Sequence, residues 1–193
     1  MMSWDTKSLT KAVTDFWFGA PGSPEFDQQH AQWFAKDQGF DQKIHDQFGT
    51  AINAAGRGEL APMAKTPEGT VALLVLLDQF TRNIYRDSAG MFSNDHYAIK
   101  IADAAIQQGF DLKVSPVMRS FFYLPYEHSE DLGLQNCAVD LFNALGNAEA
   151  LKWAIAHRDI IARFGRFPHR NELLNRTSTV AEVAFLKEPN STF

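Results

Sequence analysis

Apolar residues recur along this chain at steps of three and four, and the strict alternation of a half-buried strand is nearly absent, so the pattern predicts an all-α protein. The clearest stretch, "FDQKIHDQFGTAINAAGRG", sets Phe40, Ile44, Phe48 and Ile52 on one helical face before Gly56 and Gly58 break the run. A first helix is expected from about Ser8 to Phe18, stopped by Gly19 and the loop "APGSPE", with a short element around His30 to Phe34 after it. Thr66 ahead of Pro67 and Glu68 starts a helix to about Tyr85, since proline suits the first helical position and an acid suits the positive end of the dipole. Ser93 to Asp95 starts one that ends at Gly109. Ser115 with Pro116 opens a short helix through Tyr123, and Pro125 begins another that runs to Leu145 and closes at Gly146. Asn147 caps a helix to Phe164, and Thr179 with Glu182 forms a capping box for a last helix before Pro189.

Nothing in this pattern reads as a linker, a charge run or a low-complexity tract, and a chain of 193 residues suits one core, so residues 1–193 are expected to form a single all-α domain. No period of about 34 residues marks a tetratricopeptide array.

Polar residues then intrude on the apolar stripes. At about 100° per residue, Asp78, Gln79, Arg82 and Arg86 fall on the face that Val71 and Val75 begin. Leu134, Ala138, Leu141, Phe142 and Leu145 form an inward stripe that, extended backwards, lands on Asp131 and Glu127, flanked by His128 and Glu130. His157 lies at the centre of the stripe made by Trp153, Ile160, Ile161 and Phe164. A lone histidine there is usually a satisfied core residue, but a carboxylate on a buried stripe must meet a cation, a metal or donors, or hold a proton. After Phe164, Gly165 and Pro168 make a sharp corner that gathers Arg163, Arg166, His169, Arg170 and Asn171, where guanidinium forks and free backbone N–H groups favour an anion. The competing reading is a salt-bridge network that only locks helices together.

Bulk properties narrow the partners. A net charge of −5 and a pI near 5.6 argue against nucleic acid or an anionic membrane held by bulk electrostatics, so any anion site is local. The longest apolar run, "VALLVLL" at 71–77, is far short of the roughly 20 residues that span a bilayer. With Cys137 as the only cysteine and no apolar leader in "MMSWDTKSLTK", a cytoplasmic location is expected.

Three segments, "LLDQFTRNIYRDSAGMF" (76–92), "RSFFYLPYEHSEDLGLQ" (119–135) and "HRDIIARFGRFPHRN" (157–171), resemble the signature of the bacterial family catalogued as domain of unknown function 924; "DFWFG" (15–19) and "STVAEVAFL" (178–186) match as well. The resemblance covers nearly the whole chain. It implies an all-α fold of the tetratricopeptide-like helical superfamily, built of antiparallel helices, and no settled activity. The family's polar motif positions fall on Asp78, Gln79, Arg82, Asn83, Arg86, Glu127, His128, Glu130, Asp131, His157, Arg163, Arg166, His169, Arg170 and Asn171.

Three functions compete. The first is a pocket for a small anionic ligand, a phosphate or carboxylate, clamped by Arg82, Arg86, Arg166 and Arg170. In it His157 or His169, tuned by Glu127 or Asp131, is the acid/base candidate, and whether any reaction follows is open. The second is a tetratricopeptide-like interaction module that grips an acidic peptide; an open groove favours it and a closed cavity favours the small molecule. The third is metal-assisted chemistry through His128, Asp131, Glu127 and His157, which the surplus of arginine opposes. No cofactor or metal is assigned.

Overall fold

Asp5 caps the first helix, α1 (Thr6–Phe18), by accepting from the backbone N–H groups of Lys7 and Ser8, and Asp37 does the same for α2 (Gln38–Gly56) through Gly39 and Phe40. Thr66 caps α3 (Pro67–Leu74), its hydroxyl 3.1 Å from the Gly69 N–H. The same helix continues through a π-helical stretch, Val75–Phe80, into α4 (Thr81–Ile84). Then follow α5 (Asp95–Gln107), α6 (Pro116–Glu127), α7 (Leu132–Leu145), α8 (Ala148–Phe164) and α9 (Val180–Phe185), with short 3-10 turns between several of them. The computed structural model describes residues 4–33, 35–189 and 191–192, and no strand occurs among them. The protein is all-α. No helix among the described residues is long and apolar enough to cross a membrane.

Within the single domain expected over 1–193, the chain divides into two compact units, Met1–Arg86 with Gly90–Pro125, and Asp87–Ala89 with Tyr126–Phe193. In the first, every residue from Val71 to Phe80 is buried, because a helix apolar all round must be surrounded. α1 packs on α3, α2 on the π-helical stretch and α4, and α5 on α3 and the π-helical stretch. Phe40, Ile44, Phe48 and Ile52 of α2 are all buried, as their four-residue spacing predicts. The interior is aromatic: Phe16 stacks on Phe40 at 5.4 Å between ring centroids, and Phe80 meets Phe16, Trp17 and Phe48 at 5.0–5.8 Å. Such ring pairs add about 0.5–1.5 kcal/mol each beyond their buried area.

The second unit is organised by α7 and α8, which pack along their length and are joined only by Gly146 and Asn147. Gly146 takes the left-handed conformation that ends α7 (φ 78°), and Asn147 caps α8. Ile160 and Ile161 of α8 cluster with Phe167 and with Phe185 of α9, whose predicted capping box between Thr179 and Glu182 is formed.

Two expectations are corrected. The helix expected from Pro125 to Leu145 is two helices: Pro125 lies inside the last turn of α6, and the chain leaves helical conformation at 128–131. Asp131 is extended there and spends its carboxylate capping α7, while Gln135 donates to the carbonyls of Glu127 and Ser129, both at 2.6 Å, which would otherwise be bare. Trp153, expected on the inward stripe of α8, is 36% exposed and donates its indole N–H to Glu149 one turn back. The polar end of the Val71/Val75 face is buried: Asp78 and Gln79 are as enclosed as the apolar residues before them. The short element expected around His30 is the 3-10 turn Ala31–Trp33; Phe34 lies outside the described residues.

Gly69 is buried where α3 meets the 3-10 turn Ala61–Lys65, and a Cβ there would stand 2.2 Å from the Met63 carbonyl oxygen. Because backbone cannot swing aside as a side chain does, Gly69→Ala is expected to lower stability by roughly 1–3 kcal/mol. Urea unfolding checks this, and an unchanged midpoint would show that the turn yields freely.

Candidate functional site

Polar motif residues of the second unit converge at the end of α6, in the 128–131 loop, along α8 and at the corner after it. Glu127 ends α6 and His157 projects from the middle of α8; both are buried, with the Glu127 carboxylate 3.2 Å from His157 Nδ1. The same nitrogen is 2.9 Å from the Trp153 carbonyl one turn earlier. A carbonyl only accepts, so Nδ1 carries the proton, and in the neutral ring Nε2 is the basic nitrogen. The His128 ring lies 6.3 Å from His157, and Phe167 stands edge-on to it at 5.6 Å. Gly165 ends α8 in the left-handed conformation (φ 69°) and the 3-10 turn Pro168–Arg170 follows. This brings His169 to 5.5 Å from Phe167 and lays the buried Arg170 guanidinium 4.4 Å from the centre of that ring.

The corner's attraction for an anion is met by the protein itself. Glu130 accepts the Phe167 N–H at 2.9 Å and a fork from Arg176 at 2.7 and 2.9 Å. Burial alone would raise the Glu130 carboxyl, but Arg176 and the Phe167 amide outweigh it and hold it below the usual carboxylate range. Arg166 forks onto Glu182 at 2.6 and 2.9 Å and donates to the Thr177 carbonyl. The Arg166 hydrogen bonds hold Glu182 down at about 2. Asn171 donates to Ser178 Oγ at 3.0 Å. Arg163 is exposed, 3.9 Å from Glu188, and together with Arg166, Phe164, Thr179, Ala181 and Glu182 it lines an open cleft of about 550 Å³.

The remaining candidates belong to the first unit and are engaged there by acids. Arg82 bridges Asp78 (2.8 Å) and Asp95 (2.9 and 3.0 Å), and Gln79 donates to the other Asp78 oxygen. Arg86 forks onto Asp41 at 2.7 and 3.0 Å, where Asn83 adds a bond of 2.7 Å. Burial opposes ionisation of Asp41, yet these donors keep its carboxyl lowered.

Glu127, His128, His157, His169 and Arg170 are therefore the predicted residues that gather in one place. Asp131 is taken up as a helix cap, and Arg82, Arg86 and Arg166 each hold a carboxylate. Sequence reasoning missed Arg176, Gln135 and Asp95 as partners. Arg176 lies only five residues beyond the quoted corner, whereas nothing local in the sequence marks Gln135 or Asp95. Among the described residues no three histidine, cysteine, aspartate or glutamate side chains group as metal ligands.

Burial drives His157 down to about 3, with His128, Arg170 and His169 adding to the effect against the Trp153 carbonyl, and it drives His169 down to about 4, helped by Arg170. Both imidazoles are neutral at physiological pH. Neutral histidines held beside a carboxylate and a guanidinium offer a bound molecule hydrogen-bond donors and acceptors, and a bound anion would raise their affinity for a proton.

Fold and cluster together define a class of all-helical proteins with an enclosed imidazole, carboxylate and guanidinium group in the second unit. The model of the family described as bacterial protein of unknown function (DUF924) matches residues 13–190, and the chain belongs to that family. It is similar to the solved structure of the protein of unknown function ATU0120 from Agrobacterium tumefaciens, with 43% identity and a TM-score of 0.87 over 95% of this chain and 99% of that one. No curated protein matches the sequence.

The lowered histidines set a pH dependence whose sign is fixed. Below the ordinary histidine value of 6.5 the unfolded chain takes up protons that the folded chain refuses, until about 4 for His169 and about 3 for His157. Stability is fully present above 6.5 and falls as the pH drops, with each such group contributing up to about 1.4 kcal/mol per pH unit. Between pH 6.5 and 5.5 the carboxylates add little, so urea unfolding in that window reports the histidines. His169→Gln is expected to flatten the slope; an unaltered slope would place His169 in water.

Proposed function

We propose that the second unit is a binding site for a small anion, a phosphate or a carboxylate, with His157 as the acid/base group. The observation that carries this reading is the convergence of Glu127, His157, His169 and Arg170 from the end of α6, α8 and the turn after it. Arg170 supplies the charge, enclosed against Phe167, where a guanidinium attracts more strongly than it would in water. His157 supplies an Nε2 that is unprotonated at physiological pH and gains basicity when an anion sits beside it, and Glu127 orients the ring through Nδ1. Arg166, Arg82 and Arg86, committed to Glu182, Asp78, Asp95 and Asp41, act as supports rather than as clamps. We further place the protein in the cytoplasm, and assign its helical hairpin of α7 and α8, closed by a two-residue turn, to a tetratricopeptide-like arrangement.

Titration with inorganic phosphate and with succinate, followed by the ring resonances of the histidines and by thermal unfolding, tests the site. The expected result is a saturable shift of the His157 and His169 signals and stabilisation approaching about 2.7 kcal/mol at a hundredfold excess over Kd. Arg170→Gln removes both. Absence of any shift with either anion, in protein whose melting is otherwise normal, overturns the reading.

The open cleft at Arg163 and Arg166 favours a second reading, docking of an acidic peptide. A labelled oligoglutamate peptide is expected to bind in a salt-dependent way and to weaken about tenfold in Arg163→Glu, roughly the loss of one exposed charge pair with its sign reversed. Fluorescence anisotropy that stays flat at low salt removes this reading.

A further inference from the structure

α6 is weakest at its last turn. Pro125 has no N–H, so the Phe121 carbonyl lacks the helical bond that residue 125 would give it, and the final carbonyls of any helix have no partners within it. The chain then leaves helical conformation at 128–131. Glu127 is the last residue of this end, yet its carboxylate is buried and stands 3.2 Å from His157 Nδ1 on another helix. A group outside α6 has to hold it there.

Gln135 does so. It lies in the first turns of α7, fully buried, and its amide Nε2 donates to the carbonyls of Glu127 and Ser129, both at 2.6 Å. One amide with two hydrogens thus closes two carbonyls beyond the weak turn, and the Ser129 N–H closes that of Tyr126 at 3.1 Å. The Gln135 amide oxygen is itself buried with no hydrogen-bond partner, and the reverse orientation would set it against two carbonyl oxygens. The side chain is held in place by its donors.

α7 is also the helix from which Glu127 can be aligned with His157. It packs along α8, which carries His157, and Gln135 ties the end of α6 to this hairpin. With the Trp153 carbonyl at 2.9 Å as sole acceptor from Nδ1, the imidazole could swing about that bond. The Glu127 carboxylate as second acceptor fixes the plane of the ring, and with it the direction of Nε2.

We propose that Gln135 is a positioning residue of the second unit's anion site: through the Glu127 backbone it places the Glu127 carboxylate on His157 and so aims Nε2 at the ligand. The role presupposes that the cluster is an anion site.

The Nδ1 proton of His157, identified by NMR from its loss in His157→Gln, is the probe. A carboxylate acceptor draws this signal downfield, and Glu127→Gln moves it back. Gln135→Met, of similar size but without a donor, is expected to move it the same way. Gln135→Asn, whose amide falls one methylene short, gives the same result and replaces the methionine variant if that one does not fold. The double variant Glu127→Gln/Gln135→Met leaves the signal where Glu127→Gln alone puts it, because Gln135 acts through that carboxylate. Asn147→Ala removes the cap of α8 and lowers stability without moving the signal, which separates positioning from destabilisation. Gln135→Met also weakens inorganic phosphate about fivefold, the effect of one ordinary hydrogen bond. A His157 signal that stays in place in both Gln135 variants, or unchanged phosphate affinity, overturns the proposal. Wild-type protein that ignores both phosphate and succinate overturns the anion reading instead, and the Nδ1 signal still decides whether Gln135 places Glu127.

Discussion

A charge withdrawn from water must meet its opposite or be neutralised, and this requirement shapes both units of the protein. The buried carboxylate of Asp78 stands on the most enclosed helix of the first unit, so Arg82 has to reach it, and Arg82 in turn holds Asp95 at the start of α5. Arg86 and Asn83 do the same for Asp41 on α2. The second unit repeats the solution with Arg166 on Glu182 and Arg176 on Glu130. Apart from Asp78 with Arg82, four residues apart on one continuous helix, each pair joins separate elements. Removing Arg82 would strand the buried Asp78 carboxylate, which costs several kcal/mol, so this group of charges helps to fix how α4 meets α5.

One group of buried titratable residues is handled by neutralisation. His157 and His169 lose their protons instead of gaining a full set of acids, although Glu127 is within 3.2 Å of His157. Glu130 and Glu182 meanwhile accept from Arg176 and Arg166 at the corner after α8, and Phe167 stands edge-on to His157. The aromatic interior of the first unit works by another rule, in which flat rings fill space and leave a few polar atoms without partners at its margin.

The π-helical stretch Val75–Phe80 shows how far local counting reaches. Thr81 Oγ1 bonds the Leu76 carbonyl five residues back, so the turn is wider there and the side chains beyond it rotate away from the positions that regular α-helical steps assign. Asp78 and Gln79, which regular steps already place on the Val71/Val75 face, are enclosed because the whole stretch from Val71 to Phe80 is surrounded. At 128–131 the error was of another kind: Asp131 lies at a helical distance from Leu134, but its side chain gains more by capping α7 than by extending the stripe, and helical periodicity carries no signal for a break of four residues.

The sequence by itself determined the all-α class, most helix ends and the buried faces. Capping by Thr66, Asn147 and Thr179, the left-handed glycines Gly146 and Gly165, and the stripe from Phe40 to Ile52 depend on residues within a few positions of one another, so short-range physics settles them. It also marked Glu127 and His157 as polar residues in apolar company, and His169 and Arg170 as part of the cationic corner after α8. Only the tertiary structure decided which charge answers which. Glu130 with Arg176 and Arg82 with Asp95 are pairings across 46 and 13 residues, and the energy of a buried charge depends on distances in space that the order of residues does not contain.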